Sequence, residues 1–247
     1  MRFKIGCCGW GFFSAKNFFG VDWRQRFKTR LQGYAKLFDL VEVNSTFYKL
    51  PLERTALKWY EEATSVNKNF EFTVKVNKVI SHIDRFKTRE SIKAFEKTLV
   101  IARTLRARVL LLQTPKSFKP TQENIGNINR FFKVVKSLLK NETLVWEPRG
   151  DFLDSEELIK ILKKHSIEYC VDPLRTKPVF SNKILYFRLH GFGKNMMYNY
   201  RFNKKELLMI KNKINDFIRE FNPKQVYVLF NNYYMYDNAL EFKRIIP

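Results

Sequence analysis

Acidic, basic and imidazole side chains stand at the ends of short apolar runs in this chain, where they could carry out acid and base chemistry. Glu42 and Asn44 face the same way if their run is a strand, because residues i and i+2 of a strand share a side. Two carboxylates in unlike surroundings can serve as proton donor and proton acceptor. The catalytic candidates are therefore Glu42, Glu147, His190 and Lys75. The alternative is that these charges only neutralise one another within the fold.

A second set of residues at the ends of the same runs could hold a substrate. Amide, guanidinium and backbone N–H groups suit phosphate oxygens, and aromatic rings suit bases. The loop at residues 190–194 contains two glycines that expose backbone N–H groups, with Lys194 beside them. The substrate-binding candidates are Trp10, Asn44, Tyr48, His82, Gln113, Arg149, Asp172, Arg188, Gly191, Asn231 and Asn232.

Eight runs rich in Val, Ile, Leu, Phe and Tyr have the length of strands. They cover residues 3–8, 39–46, 70–76, 108–113, 143–147, 167–172, 184–190 and 225–231. Apolar residues at helical spacing predict helices over 21–38, 53–66, 88–106, 122–140, 155–165, 203–221 and 234–246, with only a turn or two at 174–183. Alternating strands and helices demand a parallel sheet. We predict one α/β domain over residues 1–247, a (β/α)8 TIM barrel with an irregular or missing helix after strand six. An open doubly wound sheet is the alternative.

The chain is strongly basic, with 46 Lys and Arg against 24 Asp and Glu and a formal net charge of +22. This excess favours a nucleic acid or a phosphate-containing small molecule as partner, although a compositional bias toward lysine explains it equally well. Only three cysteines are present, two of them adjacent, which indicates a reducing compartment. No apolar run has the length of a signal peptide or a membrane span, so we expect a cytoplasmic protein without a membrane partner.

Several of these runs also carry a family resemblance. In chain order they are 5–10, 41–48, 72–75, 81–82, 113–115, 146–149, 172, 188–191 and 230–232, of which Glu-Val-Asn-Ser-Thr-Phe-Tyr at 42–48 is the most specific. Together they resemble the family called domain of unknown function 72, or YecE-like. The resemblance implies a TIM barrel distantly similar to the xylose isomerase and apurinic endonuclease barrels, and it implies no reaction. Cys8 stands where that family usually has Ser, and Gly150 stands where a His is common.

Two functions remain open at this point. The first is an enzyme that binds a phosphate-containing or nucleic-acid substrate at the C-terminal rim of the barrel and performs hydrolysis or acid/base chemistry. A divalent metal held by the carboxylates and His190 is a less favoured cofactor, and no residue is assigned as a metal ligand. The second is a non-catalytic protein that binds nucleic acid through its basic surface. The sequence leaves the oligomeric state open.

Overall fold

Eight parallel strands close into a barrel in chain order, so that the first strand pairs with the last. The structure is a computed structural model and describes residues 2–192 and 198–246. The strands are β1 (Arg2–Cys7), β2 (Leu40–Val43), β3 (Glu71–Lys75), β4 (Val109–Gln113), β5 (Thr143–Glu147), β6 (Glu168–Val171), β7 (Ile184–Leu189) and β8 (Gln225–Phe230). Each overlaps one of the predicted runs, which confirms the TIM barrel over the open sheet.

Helices cover the outside of the barrel and connect most of the strands. They are α1 (Ala15–Phe19), α2 (Trp23–Arg26), α3 (Arg30–Leu37), α4 (Glu53–Val66), α5 (Arg89–Thr104), α6 (Gln122–Leu138), α7 (Glu156–His165), α8 (Lys204–Phe221) and α9 (Met235–Ile245). The predicted gap after strand six is confirmed, because residues 172–183 between β6 and β7 form turns and extended chain without a helix. None of the helices in the described ranges is both long and apolar enough to cross a lipid bilayer.

The prediction of one helix over residues 21–38 is wrong, because the segment breaks between α2 and α3. Phe27 ends α2 in an extended conformation with its side chain buried. Thr29 then restarts the helix with a capping box. Its hydroxyl accepts the backbone N–H of Gln32, while the Gln32 side chain accepts the backbone N–H of Thr29. These reciprocal bonds satisfy N–H groups that otherwise lack partners at a helix start, so they favour the break.

Side chains on each strand alternate between two buried layers. Val41 and Val43 of β2 belong to the layer between the strands and the helices, whereas Leu40 packs inside the barrel. Glu42 also points inside, where it meets side chains of β7. The alternation expected for this run is therefore present, and it brings a charged group into the barrel centre.

Strand β1 approaches β2 so closely that only a glycine fits at position 6. Gly6 pairs with Leu40, and Cys7 pairs with Val41. A Cβ atom built on Gly6 would lie 2.0 Å from the carbonyl oxygen of Leu40, which cannot move without displacing β2. Gly11, in the loop after β1, has open space at the equivalent position.

We predict that Gly6→Ala strongly destabilises the protein and that Gly11→Ala does not. The added methyl group would force the β1 and β2 backbones apart, which costs about 3 kcal/mol for overpacking of this kind. The exposed Gly11 should tolerate alanine within about 0.5 kcal/mol. Urea denaturation measures both free energies of unfolding, and equal values for the two variants would contradict the close approach.

Candidate functional site

One arginine joins the two predicted catalytic carboxylates inside the barrel. Arg188 of β7 is 1% exposed, and Glu42 of β2 is completely buried. Arg188 Nη2 donates to Glu42 Oε1 at 2.9 Å, and Arg188 Nη1 donates to Glu147 Oε2 at 2.6 Å. The second Glu42 oxygen accepts the Tyr186 hydroxyl at 2.8 Å. A guanidinium group therefore occupies the space between the carboxylates.

The network continues from Glu147 through β4 to β3. Glu147 Oε1 accepts N–H groups from Arg149 at 3.1 Å and from Gln113 at 3.3 Å. Gln113 Oε1 in turn accepts the Lys75 ammonium at 2.5 Å. The Lys75 Nζ also lies 4.3 Å from the centre of the Phe47 ring. The structure thus brings together all but one of the four catalytic candidates in one hydrogen-bonded group.

The charges of this group set its protonation states. Burial alone would raise the pKa of the Glu147 carboxyl, but the guanidinium groups of Arg188 and Arg149 hold it well below its usual value. Burial, together with the nearby Arg188 charge, lowers the pKa of the Lys75 amine to about 8. Glu147 is therefore a carboxylate at neutral pH, and Lys75 exists in both its charged and neutral forms near pH 8.

The fourth candidate, His190, forms a separate unit with Asp172 at the ends of β7 and β6. Asp172 Oδ2 lies 3.4 Å from His190 Nδ1 and accepts the His190 backbone N–H at 3.2 Å. A carboxylate at Nδ1 orients an imidazole ring and favours a proton on that nitrogen. His190 Nε2 is buried and has no hydrogen-bond partner among residues 2–192 and 198–246. A ligand that reached this nitrogen would supply the hydrogen bond that the described residues do not.

A cavity of about 550 Å³ opens beside His190, and we call it the anion cavity. Its basic lining residues are Lys116, Arg149, Arg175 and Lys177, and its acidic ones are Glu147, Asp154 and Asp172. Glu147 already contacts both Arg149 and Arg188, and Asp172 Oδ2 lies 3.7 Å from Arg175 Nε. Lys177 is paired with Glu220 at 3.0 Å. Among the described residues, the lining thus holds four basic and three acidic side chains, an excess of one positive charge, and the exposed Lys116 is the basic group that these ion pairs leave for an anion.

Tyr169 of β6 also lines the anion cavity, although nothing in its sequence position marks it as functional. Its side chain is 2% exposed, and its hydroxyl lacks a hydrogen-bond partner in the described part of the chain. Burial raises the pKa of this hydroxyl, so it stays a neutral O–H donor at neutral pH. A tyrosine on the outward face of a strand usually packs in the hydrophobic layer beneath a helix. The one signal in the sequence that Tyr169 could face a cavity was the predicted absence of a helix after strand six.

A second cavity, of about 850 Å³, lies beside the loops that follow β1 and β8. Six aromatic residues line it: Phe12, Phe18, Tyr48, Tyr198, Tyr233 and Tyr236. We call it the aromatic cavity. Asn231 and Asn232 line it as well, so three substrate-binding candidates, Tyr48, Asn231 and Asn232, share this cavity and lie apart from the anion cavity.

Trp10 and Asn44 do not line either of the two cavities. The Trp10 ring packs edge-on against Trp59, with the ring centroids 5.0 Å apart, on the helix side of the barrel. Asn44 Nδ2 donates to the Cys8 carbonyl oxygen at 3.0 Å, which ties the ends of β1 and β2 together.

His82 and Gly191 have surroundings of their own. The His82 ring packs edge-on against Phe47, and burial together with the Lys75 charge lowers its pKa to about 4, so it is neutral at pH 7. Gly191 has φ of 98°, and a Cβ atom there would lie 2.3 Å from Tyr200 Cβ. Its carbonyl oxygen accepts an N–H of Arg175 at 2.6 Å. Gly193 and Lys194 of the predicted phosphate loop lie outside the described residues.

The described ranges 2–192 and 198–246 hold no group of three or more His, Cys, Asp or Glu side chains arranged to bind a metal ion. All three cysteines are buried and free. Burial, and then the Glu42 charge, raises the pKa of the Cys8 thiol far above its usual value. Cys8 is therefore a thiol and a poor nucleophile at neutral pH.

Comparisons with known proteins agree with the fold. A family model described as "Protein of unknown function DUF72" matches residues 4–246. A DUF72 family protein from Thermotoga maritima MSB8 is 24% identical with a TM-score of 0.77, and the match covers 100% of this chain and 99% of that one. A DUF72 family protein from Enterococcus faecalis V583 is 20% identical with a TM-score of 0.73, and the match covers 99% of this chain and 97% of that one. A xylose isomerase domain containing protein from Salmonella typhimurium LT2 is 12% identical with a TM-score of 0.56, and the match covers 99% of this chain and 94% of that one.

These structural likenesses show the fold alone, which is a TIM barrel. A comparison with curated proteins finds no match. The chemistry must therefore be inferred from the two cavities and the charged network between the strands.

We predict that Arg188→Met lowers the free energy of unfolding by about 3–5 kcal/mol at pH 7, because two buried carboxylates lose their counter-ion. In the wild type, Glu147 adds stability above about pH 4.5, its ordinary value, and this stability is lost as the pH falls through the lowered pKa of the folded state. In the variant, burial dominates and raises that pKa. Acidification from pH 7 to pH 5 should therefore shrink the difference from wild type, as measured by urea denaturation.

Arg219→Met is the matched control. Arg219 Nη2 lies 2.6 Å from Asp216 Oδ1, and the two side chains are 76% and 64% exposed. Removing a surface pair of this kind costs less than about 1 kcal/mol. An equally small loss in Arg188→Met would show that the buried network does not hold the barrel together.

Proposed function

The chain belongs to the DUF72 family, and we propose that it is an enzyme that binds a phosphate-containing anion in the anion cavity and transfers protons through His190. One observation carries this proposal. His190 and Tyr169 line the same cavity, and each has a buried polar atom, Nε2 and the hydroxyl respectively, without a partner in the described residues.

The basic side chains of the cavity suit phosphate oxygens. Arg149 is 28% exposed, with its N–H groups shared between Glu147 and the cavity. Arg175 is 40% exposed and is fixed by its bond to the Gly191 carbonyl oxygen. A guanidinium group presents donors in a planar fork that matches two phosphate oxygens. Lys116 adds an exposed ammonium group on the same cavity.

A bound anion would also satisfy the two buried groups. A polar atom that stays buried without a partner costs about 1–3 kcal/mol. The Tyr169 hydroxyl can donate to an oxygen of the ligand, and His190 Nε2 can donate or accept, depending on its protonation. Ligand binding would therefore recover free energy that the empty cavity loses.

His190 is better placed than either glutamate to move a proton. When Nε2 accepts a proton, from attacking water for example, the Asp172 carboxylate at Nδ1 stabilises the imidazolium that forms. The water oxygen bonds to phosphorus as the bond to the leaving oxygen breaks on the opposite side, and the leaving oxygen takes its proton from solvent. Glu147 is held as a carboxylate by Arg188, so we assign it the role of fixing Arg149 and not that of a proton donor. Glu42 holds Arg188 in the same way.

We predict that the wild-type protein binds inorganic phosphate and hydrolyses a chromogenic phosphate ester, and that His190→Ala lowers kcat by about 10²- to 10⁴-fold, the usual contribution of a proton-transferring side chain. Isothermal titration calorimetry measures the binding, and release of p-nitrophenol from its mono- and diesters measures turnover.

His165→Ala is the matched control, since His165 lies on α7, hydrogen-bonds Asn129 at 2.8 Å and lines neither cavity. Its kcat should equal that of the wild type. Turnover that survives unchanged in His190→Ala would remove His190 from the mechanism. Failure of the wild type to bind phosphate at millimolar concentration would reject the anion cavity as a phosphate site.

The second candidate is a non-catalytic protein that binds nucleic acid through its basic surface. The net charge of +22 favours it, as does a cluster of basic residues far from the barrel mouth. Arg103, Arg106 and Arg108 line one cleft at the N-terminal ends of β4 and β5. Such a surface would bind the phosphate backbone without using His190 or Tyr169.

Salt dependence separates the two candidates. Binding through surface charges predicts that the affinity for a single-stranded oligonucleotide falls by about 10³-fold or more between 50 and 200 mM salt. It also predicts no change in His190→Ala. The anion cavity, with its buried polar groups, predicts a weaker salt dependence and a clear loss of affinity in Tyr169→Phe. Fluorescence anisotropy across a salt series distinguishes these results.

A further inference from the structure

We propose that the aromatic cavity receives a planar, uncharged ring belonging to the same ligand whose phosphate enters the anion cavity, so that the substrate class is that of nucleotides. This inference rests on the proposed function. It adds the chemistry of the second half of the ligand, which the anion cavity alone does not specify.

The lining of the aromatic cavity is suited to a flat, neutral group. Its six aromatic residues are accompanied by Ser14, Asn17, Asn231 and Asn232, and Asp237 is the one charged side chain among the described residues that line it. Within residues 2–192 and 198–246, the lining offers an anion no basic side chain. A nucleobase offers two faces for stacking and polar edges for the amide groups, so it matches both kinds of lining residue.

Several of the rings remain open to a ligand. Phe12 is 91% exposed, Tyr233 is 75% exposed and Tyr48 is 70% exposed. The exposed surfaces of Phe12 and Tyr233 leave their rings open to stacking, whereas the Lys78 ammonium lies 5.8 Å from the centre of the Tyr48 ring. Tyr236 is buried and anchors the lining through its ring contact with Phe13.

Asn232 gives an independent sign that this cavity takes a hydrogen-bonding ligand. Its side chain is 4% exposed, and its Nδ2 donates to the Tyr200 carbonyl oxygen at 2.6 Å and to Asn238 at 3.0 Å. Its Oδ1 has no partner within residues 2–192 and 198–246. An acceptor held in place by both donors of its own amide suits an N–H group, such as the exocyclic amine of a base.

The two cavities meet at one pair of rings. Tyr198 lines the aromatic cavity and packs edge-on against His190, which lines the anion cavity, with ring centroids 5.7 Å apart. The Tyr233 backbone N–H donates to the Tyr198 carbonyl oxygen at 2.7 Å, so the exposed ring of Tyr233 is tied to the same boundary. This contact places the two cavities side by side, as a ligand with a ring at one end and a phosphate at the other requires.

The test compares four probes by isothermal titration calorimetry: inorganic phosphate, ribose 5-phosphate, adenosine and adenosine 5′-monophosphate. We expect the monophosphate to bind at least about tenfold more tightly than inorganic phosphate or ribose 5-phosphate, in line with the effect of one stacked base. Tyr233→Ala should remove most of this advantage and leave the affinity for inorganic phosphate unchanged. Because Tyr233 is 75% exposed, its truncation does not threaten the fold.

Two control variants accompany Tyr233→Ala. Tyr233→Phe keeps the ring and should keep the advantage of the monophosphate. Val100→Ala truncates an apolar side chain that is 42% exposed on α5 and lines neither cavity, and it should change nothing.

The remaining outcomes overturn the inference in distinguishable ways. If phosphate binds but the monophosphate binds no better than ribose 5-phosphate, the ring site is wrong and the proposed function survives. If adenosine binds and phosphate does not, the proposed function fails and the two cavities do not share a ligand. If sedimentation shows that Tyr233→Ala dissociates a dimer, the exposed rings form an interface between copies and the ring site is again wrong.

Discussion

The centre of the barrel depends on one positive charge placed between two buried carboxylates. An unpaired charge in this position costs several kcal/mol, so Glu42, Glu147 and Arg188 can be buried only together. Their bonds fix β2, β5 and β7 relative to one another. Two residues beyond Glu147 and Arg188, the chain places Arg149 just after β5 and His190 just after β7, both at the rim. The geometry of the mouth is therefore a consequence of the salt bridges beneath it.

Because the Arg188 guanidinium lies between Glu42 and Glu147, protein atoms occupy the interior of the network, and the two cavities lie beside it. The anion cavity lies beside β5, β6 and β7, and the aromatic cavity lies beside the loops after β1 and β8. This division separates groups that hold the fold from groups that can meet a ligand. Glu147 belongs to both, since one oxygen contacts Arg188 and the other contacts Arg149. Glu147 therefore links the stability of the barrel to the position of the Arg149 guanidinium in the anion cavity.

The sequence predicted the barrel well because strand length, alternation and polar strand ends are local patterns. The inward direction of Glu42 followed from alternation alone. The pairing of Arg188 with both glutamates could not be predicted, because it depends on which strands face each other across the barrel. The break at Thr29 was missed because the apolar spacing continues through it, while the capping box that causes it spans only four residues. Tyr169 was missed because an outward-facing aromatic side chain has the same pattern whether or not a helix covers it.

Strand β6 has two backbone-paired residues on each side, so fewer hydrogen bonds hold it in the barrel than hold the longer strands. Its partners are Val145 and Trp146 on one side and Tyr186 and Phe187 on the other, and no helix follows it. Segments with few ladder hydrogen bonds open at a lower free energy than the rest of a fold. A ligand that hydrogen-bonded both Tyr169 of β6 and His190 after β7 would join the two segments. Local opening of β6 would then cost more free energy with the ligand bound than without it.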